Sequence, residues 1–135
     1  MLTLKEFVDI TEIDGSGAET TDADLMYLKD LTKLERLDLK GTQVTDAGLV
    51  HLKGLTKLKR LYLDDTQATD AGLTHLKGLP KLELLSLGGT QITDDGLVYL
   101  KDLTSLGTLW LRGTKVTDEG VKNLQESLSN CAIYS

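Results

Sequence analysis

The chain has 135 residues, enough for one domain, with 21 acidic against 15 basic side chains and a formal net charge of −6 at pH 7. This acidic balance argues against general nucleic-acid binding and against electrostatic docking on an anionic membrane, since both need clusters of lysine and arginine. Leucine supplies 29 of the residues, and the single cysteine, Cys131, excludes an internal disulfide bond.

Residues 1–33 form a predicted N-terminal cap, which holds an irregular copy of a 24-residue unit repeated later in the chain. Ile13 fits the period of that unit, whereas Gly15 stands where later copies carry leucine and Asp24 where they carry glycine. A second alignment, which pairs Ile13 with Leu39, needs two extra loop residues. Either alignment leaves a polar and degenerate unit, as expected at the end of a repeat array.

Four regular repeats follow, at residues 34–57, 58–81, 82–105 and 106–129. The first two are identical at 17 of 24 positions, and no insertion interrupts the period. A constant short period indicates a solenoid, in which stacked units share one core that a single unit could not form.

Each repeat opens with the pattern L-x-x-L-x-L, and the alternation of Leu37 and Leu39 predicts a short strand with one face inward. The later spacing of three, as at Leu49, Leu52 and Leu55, predicts a short helix with one buried stripe. A Thr-Asp pair precedes each helix, and its side-chain oxygens are predicted to cap the first free amides. These pairs are Thr45-Asp46, Thr69-Asp70, Thr93-Asp94 and Thr117-Asp118. After the last repeat, residues 130–135 are predicted to add a terminal strand.

These features resemble the leucine-rich-repeat family, whose motif is L-x-x-L-x-L-x-x-N/C-x-L. The resemblance covers about residues 10–135 and looks most like the 24-residue bacterial variety with T-D-x-G-L after the strand. It implies an α/β solenoid with a parallel β-sheet on the concave face and short helices on the convex face. The family's usual asparagine is replaced by threonine, and we expect a threonine ladder with the same role and somewhat weaker bonding, in which each hydroxyl bonds one backbone group. Its members are Thr42, Thr66, Thr90 and Thr114.

In such a stack, the residues between the strand leucines form columns on the concave face. The predicted columns are Asp14, Asp38, Tyr62, Ser86, Trp110 and Tyr134; Glu12, Arg36, Arg60, Leu84, Thr108 and Ala132; and Ser16, Lys40, Asp64, Gly88 and Arg112. The repeats differ mainly in these columns, which is the pattern of a fixed scaffold with an adapted surface.

The predicted face is charged in its N-terminal half and aromatic in its C-terminal half. Tryptophan, tyrosine and arginine most often anchor protein interfaces, so the sequence predicts a protein- or peptide-binding module. β-propensity alone also favours aromatic residues in strands, with no ligand involved. The candidate partner-binding residues are Arg36, Asp38, Arg60, Tyr62, Asp64, Leu84, Ser86, Trp110, Arg112 and Tyr134.

Two other functions stay open at this stage. The near-identity of residues 34–57 and 58–81 also suits a structural spacer, or a consensus-like scaffold, whose aromatic side chains bind nothing strongly. Exposed aromatic rings beside small residues also suit a carbohydrate binder, because such rings stack on sugars.

We expect neither catalysis nor a metal or other cofactor. No Ser-His-Asp set, phosphate-binding loop or pair of catalytic carboxylates can be assembled from the sequence. His51 and His75 share one helical position, but two nitrogens without a third ligand make a poor zinc site. The carboxylates of Asp38, Asp64 and Asp65 are expected to form ion pairs with the basic residues Arg36, Lys40 and Arg60.

The expected partner is an unidentified protein or peptide, bound by a monomer. The compartment is left open: Met1–Glu6 shows neither a basic leader nor a continuous apolar stretch, and a cytoplasmic location follows only if Met1 is the native start. For Cys131 we expect a partly buried thiol near the C-terminus, because no base stands in a neighbouring column.

Overall fold

The computed structural model describes residue 6 and residues 9–135, and it shows the α/β solenoid that the sequence predicts. Residues 1–5, 7 and 8, which include most of the segment inspected for a leader and the start of the predicted cap, lie outside the described residues. Six short strands form one parallel sheet in sequence order. They are β1 (Glu12–Asp14), β2 (Arg36–Asp38), β3 (Arg60–Tyr62), β4 (Leu84–Ser86), β5 (Thr108–Trp110) and β6 (Ala132–Tyr134).

Neighbouring strands pair at an offset of 24 residues, including the irregular first unit. Ile13 pairs with Leu37, so the alternative alignment of Ile13 with Leu39 is wrong. Gly15 takes the position of a strand leucine, and its N–H donates to the carbonyl of Asp38 at 2.8 Å. The side chain of Leu39 lies only 3.4 Å from where a Cβ of Gly15 would be, so the neighbouring leucine fills this position from the side.

The leucines of the repeat pattern form one continuous core between the sheet and the helices. Leu34, Leu37, Leu61 and Leu85 are all fully buried, at 0% exposure. Successive side chains of a strand point to opposite faces, so the neighbours of these leucines are directed to the concave face. Fully burying one leucine stabilises the fold by about 1.5–3 kcal/mol, and each repeat contributes several.

On the convex side, the helices are shorter and tighter than a regular α-helix. The α-helical turns are α1 (Asp22–Leu25), α2 (Asp46–Leu49), α3 (Asp70–Leu73), α4 (Asp94–Leu97) and α5 (Asp118–Ser127), with 3-10 segments at Met26–Asp30, Val50–Leu52 and Val98–Leu100. Leucines spaced by three match the 3.0 residues per turn of a 3-10 helix. In the last repeat the spacing lengthens to four, from Leu124 to Leu128, and the ten-residue helix α5 forms instead. No helix within the described part of the chain has both the length and the apolarity needed to cross a membrane.

The turn after each of the first five strands passes through the left-handed conformation. Glycine occupies this position in four of the turns, whereas Asp65, with φ 57°, occupies it after β3. Aspartate is one of the few residues with a side chain that tolerates this region. The substitution therefore adds a carboxylate to the surface without changing the course of the backbone.

The predicted threonine ladder forms, but its bonds stay inside each repeat. Each hydroxyl donates to the carbonyl of the leucine three residues earlier, at 2.6–2.8 Å, as Thr90 does to Leu87. One hydroxyl therefore bonds one backbone carbonyl, as expected, and closes the turn after the strand. It does not connect neighbouring repeats.

The connection between repeats is made by the aspartates that the sequence analysis assigned to helix capping. Asp70 accepts hydrogen bonds from the backbone N–H of Thr93 at 2.8 Å and from its hydroxyl at 2.5 Å, one repeat further on. Asp22, Asp46 and Asp94 make the same pair of bonds to the following repeats. The capping prediction is wrong for these carboxylates. Where a side chain caps the helix it is the threonine, as with Thr93, whose hydroxyl accepts from Asp95 N–H.

We call this arrangement the inter-repeat seam: the Thr-Asp pairs together with the glycine two residues after each pair. The glycine belongs to it because the carboxylate of the preceding repeat lies where a Cβ would stand, as Asp70 does over Gly96. In the first unit Asp24 replaces the glycine and accepts from the N–H of Thr21 at 2.9 Å. The threonine, aspartate and glycine of the T-D-x-G-L motif thus form one contact between successive repeats.

Candidate binding surface

The strand register assembles the columns predicted for the concave face. The residues of the central column stand side by side on successive strands, as do those of the second column. Because the pairing is fixed by backbone hydrogen bonds on both sides of each inner strand, the spacing along a column is about 4.8 Å. The side chains that differ between repeats therefore meet on one surface.

The N-terminal half of this surface is held together by ion pairs. Asp38 lies 3.6 Å from Arg36 Nη2 and 3.7 Å from Lys40 Nζ, and only 5% of Asp38 is exposed. The ion pairing expected for this carboxylate is confirmed. An approaching partner would meet the two cations before it reached Asp38.

The two cations also cover one side of Tyr62. Arg36 Cζ lies 5.0 Å and Lys40 Nζ 5.1 Å from the centroid of the Tyr62 ring. Both belong to β2 or to the turn after it, so they approach the ring from the N-terminal side. Cation–π attraction of this kind fixes the orientation of an otherwise half-exposed ring.

At the C-terminal end of the column, Trp110 and Tyr134 form a stacked pair. Their ring centroids are 4.1 Å apart and their planes differ by 17°. Tyr134 is 42% exposed, so this pair presents a large aromatic surface at the last strand. A stack of this kind contributes about 1 kcal/mol beyond the area that it buries.

Between Tyr62 and Trp110 the central column carries Ser86, a small side chain that is 5% exposed. A cavity of about 280 Å³ opens above it. It is lined by Lys40, Tyr62, Asp64, Ser86, Gly88, Trp110 and Arg112. Gly88 keeps the cavity open, because a Cβ there would lie 2.9 Å from Asp64 Oδ2.

Asp64 lies at this cavity in an unusual environment. Its Oδ2 accepts a hydrogen bond from the hydroxyl of Ser86 at 2.6 Å, whereas its Oδ1 is buried and has no hydrogen-bond partner among the described residues. The ion pair expected for this carboxylate is wrong: across residues 9–135 no lysine or arginine nitrogen lies within 4.0 Å of it. Lys40 is drawn to Asp38 instead.

The ten predicted partner-binding residues therefore separate into groups. Five of them line the cavity, namely Tyr62, Asp64, Ser86, Trp110 and Arg112. Three more stand behind its aromatic walls, Arg36 and Asp38 on one side and Tyr134 on the other. Arg60 and Leu84 pair with each other in the second column and lie outside the cavity.

Lys40 and Gly88 line the cavity although neither was among the predicted partner-binding residues. Both belong to the third predicted column of the concave face, and this position was the sequence signal that they would line the cavity. A separate groove of about 300 Å³ lies between α4 and α5 on the convex side, and no sequence pattern predicted it. Its apolar lining consists of Leu97 and Leu124, which belong to the repeat core, and of Val98, which is 51% exposed.

Away from the concave face, burial in the fold accounts for the pKa shifts of His75 and Cys131. Among the described residues, no group of three or more His, Cys, Asp or Glu side chains is arranged to hold a metal ion. Burial lowers the pKa of His75, whose Nδ1 is enclosed without a hydrogen-bond partner. Cys131 is 4% exposed and burial raises the pKa of its thiol, which confirms the buried terminal thiol.

Comparison with known proteins gives a consistent result. A family model for the leucine-rich repeat matches residues 30–52 and 78–101. The structure is similar to an internalin (InlF) from Listeria monocytogenes, with a TM-score of 0.78 and 27% identity over 96% of this chain and 36% of that one. It is also similar to internalin C2 from the same species, with a TM-score of 0.56 and 24% identity over 98% and 73% of the two chains.

A leucine-rich-repeat protein from Leptospira interrogans shares the fold at 19% identity, with a TM-score of 0.61 over 96% of this chain and 38% of that one. The chain thus spans little more than a third of the length of InlF. No curated protein matches the sequence at a significant level. The chain thus matches the leucine-rich-repeat model at two of its repeats and shares the leucine-rich-repeat solenoid architecture with these bacterial proteins.

Proposed function

We propose that the chain is a protein- or peptide-binding module that recognises its partner on the concave face. The leucine-rich-repeat fold generally mediates protein–protein interaction. The observation that carries the proposal is the cavity between Tyr62 and Trp110, which combines two aromatic walls with a buried carboxylate oxygen that has no partner. Leaving a buried polar atom unpaired costs about 1–3 kcal/mol, and a ligand that supplies a donor recovers that free energy.

The dimensions of the face suit a protein partner. Six strands about 4.8 Å apart span roughly 25 Å, enough for one side of a standard interface of about 800 Å². Aromatic and arginine side chains dominate binding energies, and the face carries Tyr62 and Trp110 in its central column, Arg60 in its second column and Arg112 in the lining of the cavity. Charged groups guide the partner's orientation more than they add affinity.

The rigidity of the scaffold supports the same function. The inner strands are bonded to both neighbours, and the seam holds each helix turn against the next. A surface that is already ordered loses little conformational entropy when a partner binds. We propose no enzymatic activity, because an open sheet excludes water poorly and acid–base chemistry generally needs an enclosed pocket.

A comparison of concave and convex variants tests the proposal. The wild-type chain, Tyr62→Ala with Trp110→Ala, and Tyr27→Ala with Val98→Ala serve as baits for a lysate of the source cell. Tyr27 and Val98 are 66% and 51% exposed on the convex side, so the third bait loses a similar apolar area from the other surface. Circular dichroism checks that each bait is folded.

We expect a protein that the wild type and the convex variant retain and that the concave variant loses. Retention by all three baits would contradict the assignment to the concave face. A chain that retains no protein from any fraction, and no glycan from an array, would favour the structural spacer. A glycan retained through Trp110 would favour the carbohydrate binder.

A further inference from the structure

The central column of the concave face is a stack of flat side chains that is interrupted at β4. On one side Arg36 and Lys40 cover the Tyr62 ring at 5.0 and 5.1 Å. On the other side Tyr134 covers the Trp110 ring at 4.1 Å. Between the two halves, β4 contributes only Ser86, which is buried and small. The interruption forms a slot with one aromatic ring on each side.

The slot is wide enough for one planar group. Tyr62 and Trp110 stand two strands apart, a backbone separation of about 9.6 Å. The Trp110 and Tyr134 planes are 17° apart, so the stacking direction runs along the sheet and the second face of the indole is turned toward β4. A planar group stacked between two rings needs about 7 Å from ring to ring, since each contact takes about 3.5 Å.

A carboxylate that lines the slot lacks one hydrogen-bond donor. Asp64 Oδ1 is buried and has no hydrogen-bond partner among the described residues, and a carboxylate can only accept. The two cations that share the cavity do not satisfy it, because Lys40 is paired with Asp38 at 3.7 Å and the solvent-exposed Arg112 forms no ion pair with Asp64 within 4.0 Å.

One side chain satisfies all these conditions. A guanidinium is planar, carries several donors and a positive charge, and stacks on aromatic faces. The ammonium of lysine carries the charge but not the plane, and the neutral rings of tyrosine and tryptophan carry the plane and one donor but no charge. We propose that the slot takes the guanidinium of an arginine side chain from the partner, stacked between Tyr62 and Trp110 and hydrogen-bonded to Asp64. This assignment rests on the proposed function and names the partner's anchor residue.

A small probe tests the slot without knowledge of the partner. N-acetyl-L-arginine methylamide is titrated into the ¹⁵N-labelled chain, and the signal of the indole N–H is followed by NMR. Trp110 is the only tryptophan, so this signal reports on the slot without assignment work. The matched probe is the citrulline compound, which keeps the planar group and the length but has no charge. We expect a saturable shift with arginine, and binding weaker by about tenfold or more with citrulline, the loss expected when a charge-assisted hydrogen bond becomes neutral.

Matched variants assign the charge. Asp64→Asn removes the carboxylate at the slot, and we expect it to abolish the preference for arginine over citrulline. Asp65→Asn removes the same charge from the neighbouring residue, which is exposed and does not line the cavity, and asparagine tolerates its left-handed backbone. We expect it to keep the preference. The comparison of the two probes uses the wild-type chain, so it does not depend on the folding of either variant.

Equal responses to the two probes, no saturable response to arginine, or an Asp64→Asn chain that keeps its preference would each overturn the assignment. The proposed function fails separately. If partner capture depends on Tyr62 and Trp110 but the chain does not prefer the arginine probe over the citrulline probe, only this inference is overturned. The chain could respond specifically to the arginine probe while the bait with Tyr62→Ala and Trp110→Ala still captures the partner as well as the wild type does. That pair of results would contradict the proposed function and leave the chemistry of the slot intact.

Discussion

Two regions of the molecule, the inter-repeat seam and the concave face, hold an aspartate in opposite ways. In the inter-repeat seam, both oxygens of Asp70 accept hydrogen bonds from Thr93. On the concave face, Asp64 is bonded only through Oδ2, to Ser86, and its second oxygen has no partner. The seam is repeated with the same residues from unit to unit, whereas no other repeat places an aspartate at the position of Asp64.

The difference separates stability from recognition. A carboxylate whose oxygens are both satisfied stabilises the fold and gains nothing from a ligand. A carboxylate left half-satisfied in a cavity costs stability until a donor arrives. The seam therefore belongs to the scaffold and the face to binding, and variants of the two regions should move different observables.

The largest effect on stability is expected at a seam glycine. Gly96→Ala places a Cβ against the Asp70 carboxylate and separates it from Thr93, and we expect a loss of about 3 kcal/mol, the value of two hydrogen bonds to a charged group. Gly54→Ala is the control, because no atom lies within 4 Å of its Cβ position, and we expect a change below about 0.5 kcal/mol. Urea unfolding measures both variants. Equal stabilities would show that the seam geometry is not needed.

A smaller effect is expected from the seam carboxylate itself. Asp70→Asn removes a charge that accepts two hydrogen bonds, whereas Asp118→Asn changes the equivalent residue of the last repeat, which makes no such bonds within the described residues. Both aspartates begin a helix, so the effect on the helix dipole is the same. We expect Asp70→Asn to lower the free energy of unfolding by about 1–2 kcal/mol more than Asp118→Asn does. A thermal unfolding series in which the two variants coincide would contradict the role of the seam.

The smallest effect is a pH dependence at the last seam contact. The hydrogen bonds from the Thr117 hydroxyl and N–H hold the pKa of Asp94 below its usual value of about 3.9. A lowered pKa in the folded state means that the contribution is complete above pH 4 or so, and that it is lost as the pH falls through the folded-state pKa.

We therefore expect the stability difference between wild type and Asp94→Asn to shrink as the pH is lowered from about 5 to about 2. Chemical unfolding at a series of pH values measures this difference. A difference for Asp94→Asn that stays constant with pH would show that Asp94 is not held by charge.

Much of this molecule was readable from its sequence because the repeat presents each pattern several times. The inward leucines, the strand register and the columns of the concave face follow from a period of 24 and from alternation along a strand. The stacking of Trp110 on Tyr134 and the ion pairing of Asp38 are consistent with those columns. Their distances depend on rotamers, which a periodic pattern does not specify.

The mistaken predictions concern side chains that choose between partners at similar distances. Asp46 is able to cap its own helix or to reach the next repeat, and only the packed stack brings Thr69 close enough to decide. Lys40 is able to neutralise Asp38 or Asp64, and it lies with Asp38, where the Tyr62 ring also attracts its ammonium. The sequence does not distinguish these alternative partners, because residue type and spacing allow either contact.

The sequence by itself determined the solenoid, its strand order and the set of residues on each face, because these depend on periodicity and on the burial of leucine. The tertiary structure alone decided which charged and polar groups are satisfied and which are not. That outcome depends on differences of a few tenths of an ångström in the donor–acceptor distances between neighbouring repeats. The seam carboxylates meet their donors across such a boundary, and Asp64 keeps one oxygen without a donor in the slot between Tyr62 and Trp110.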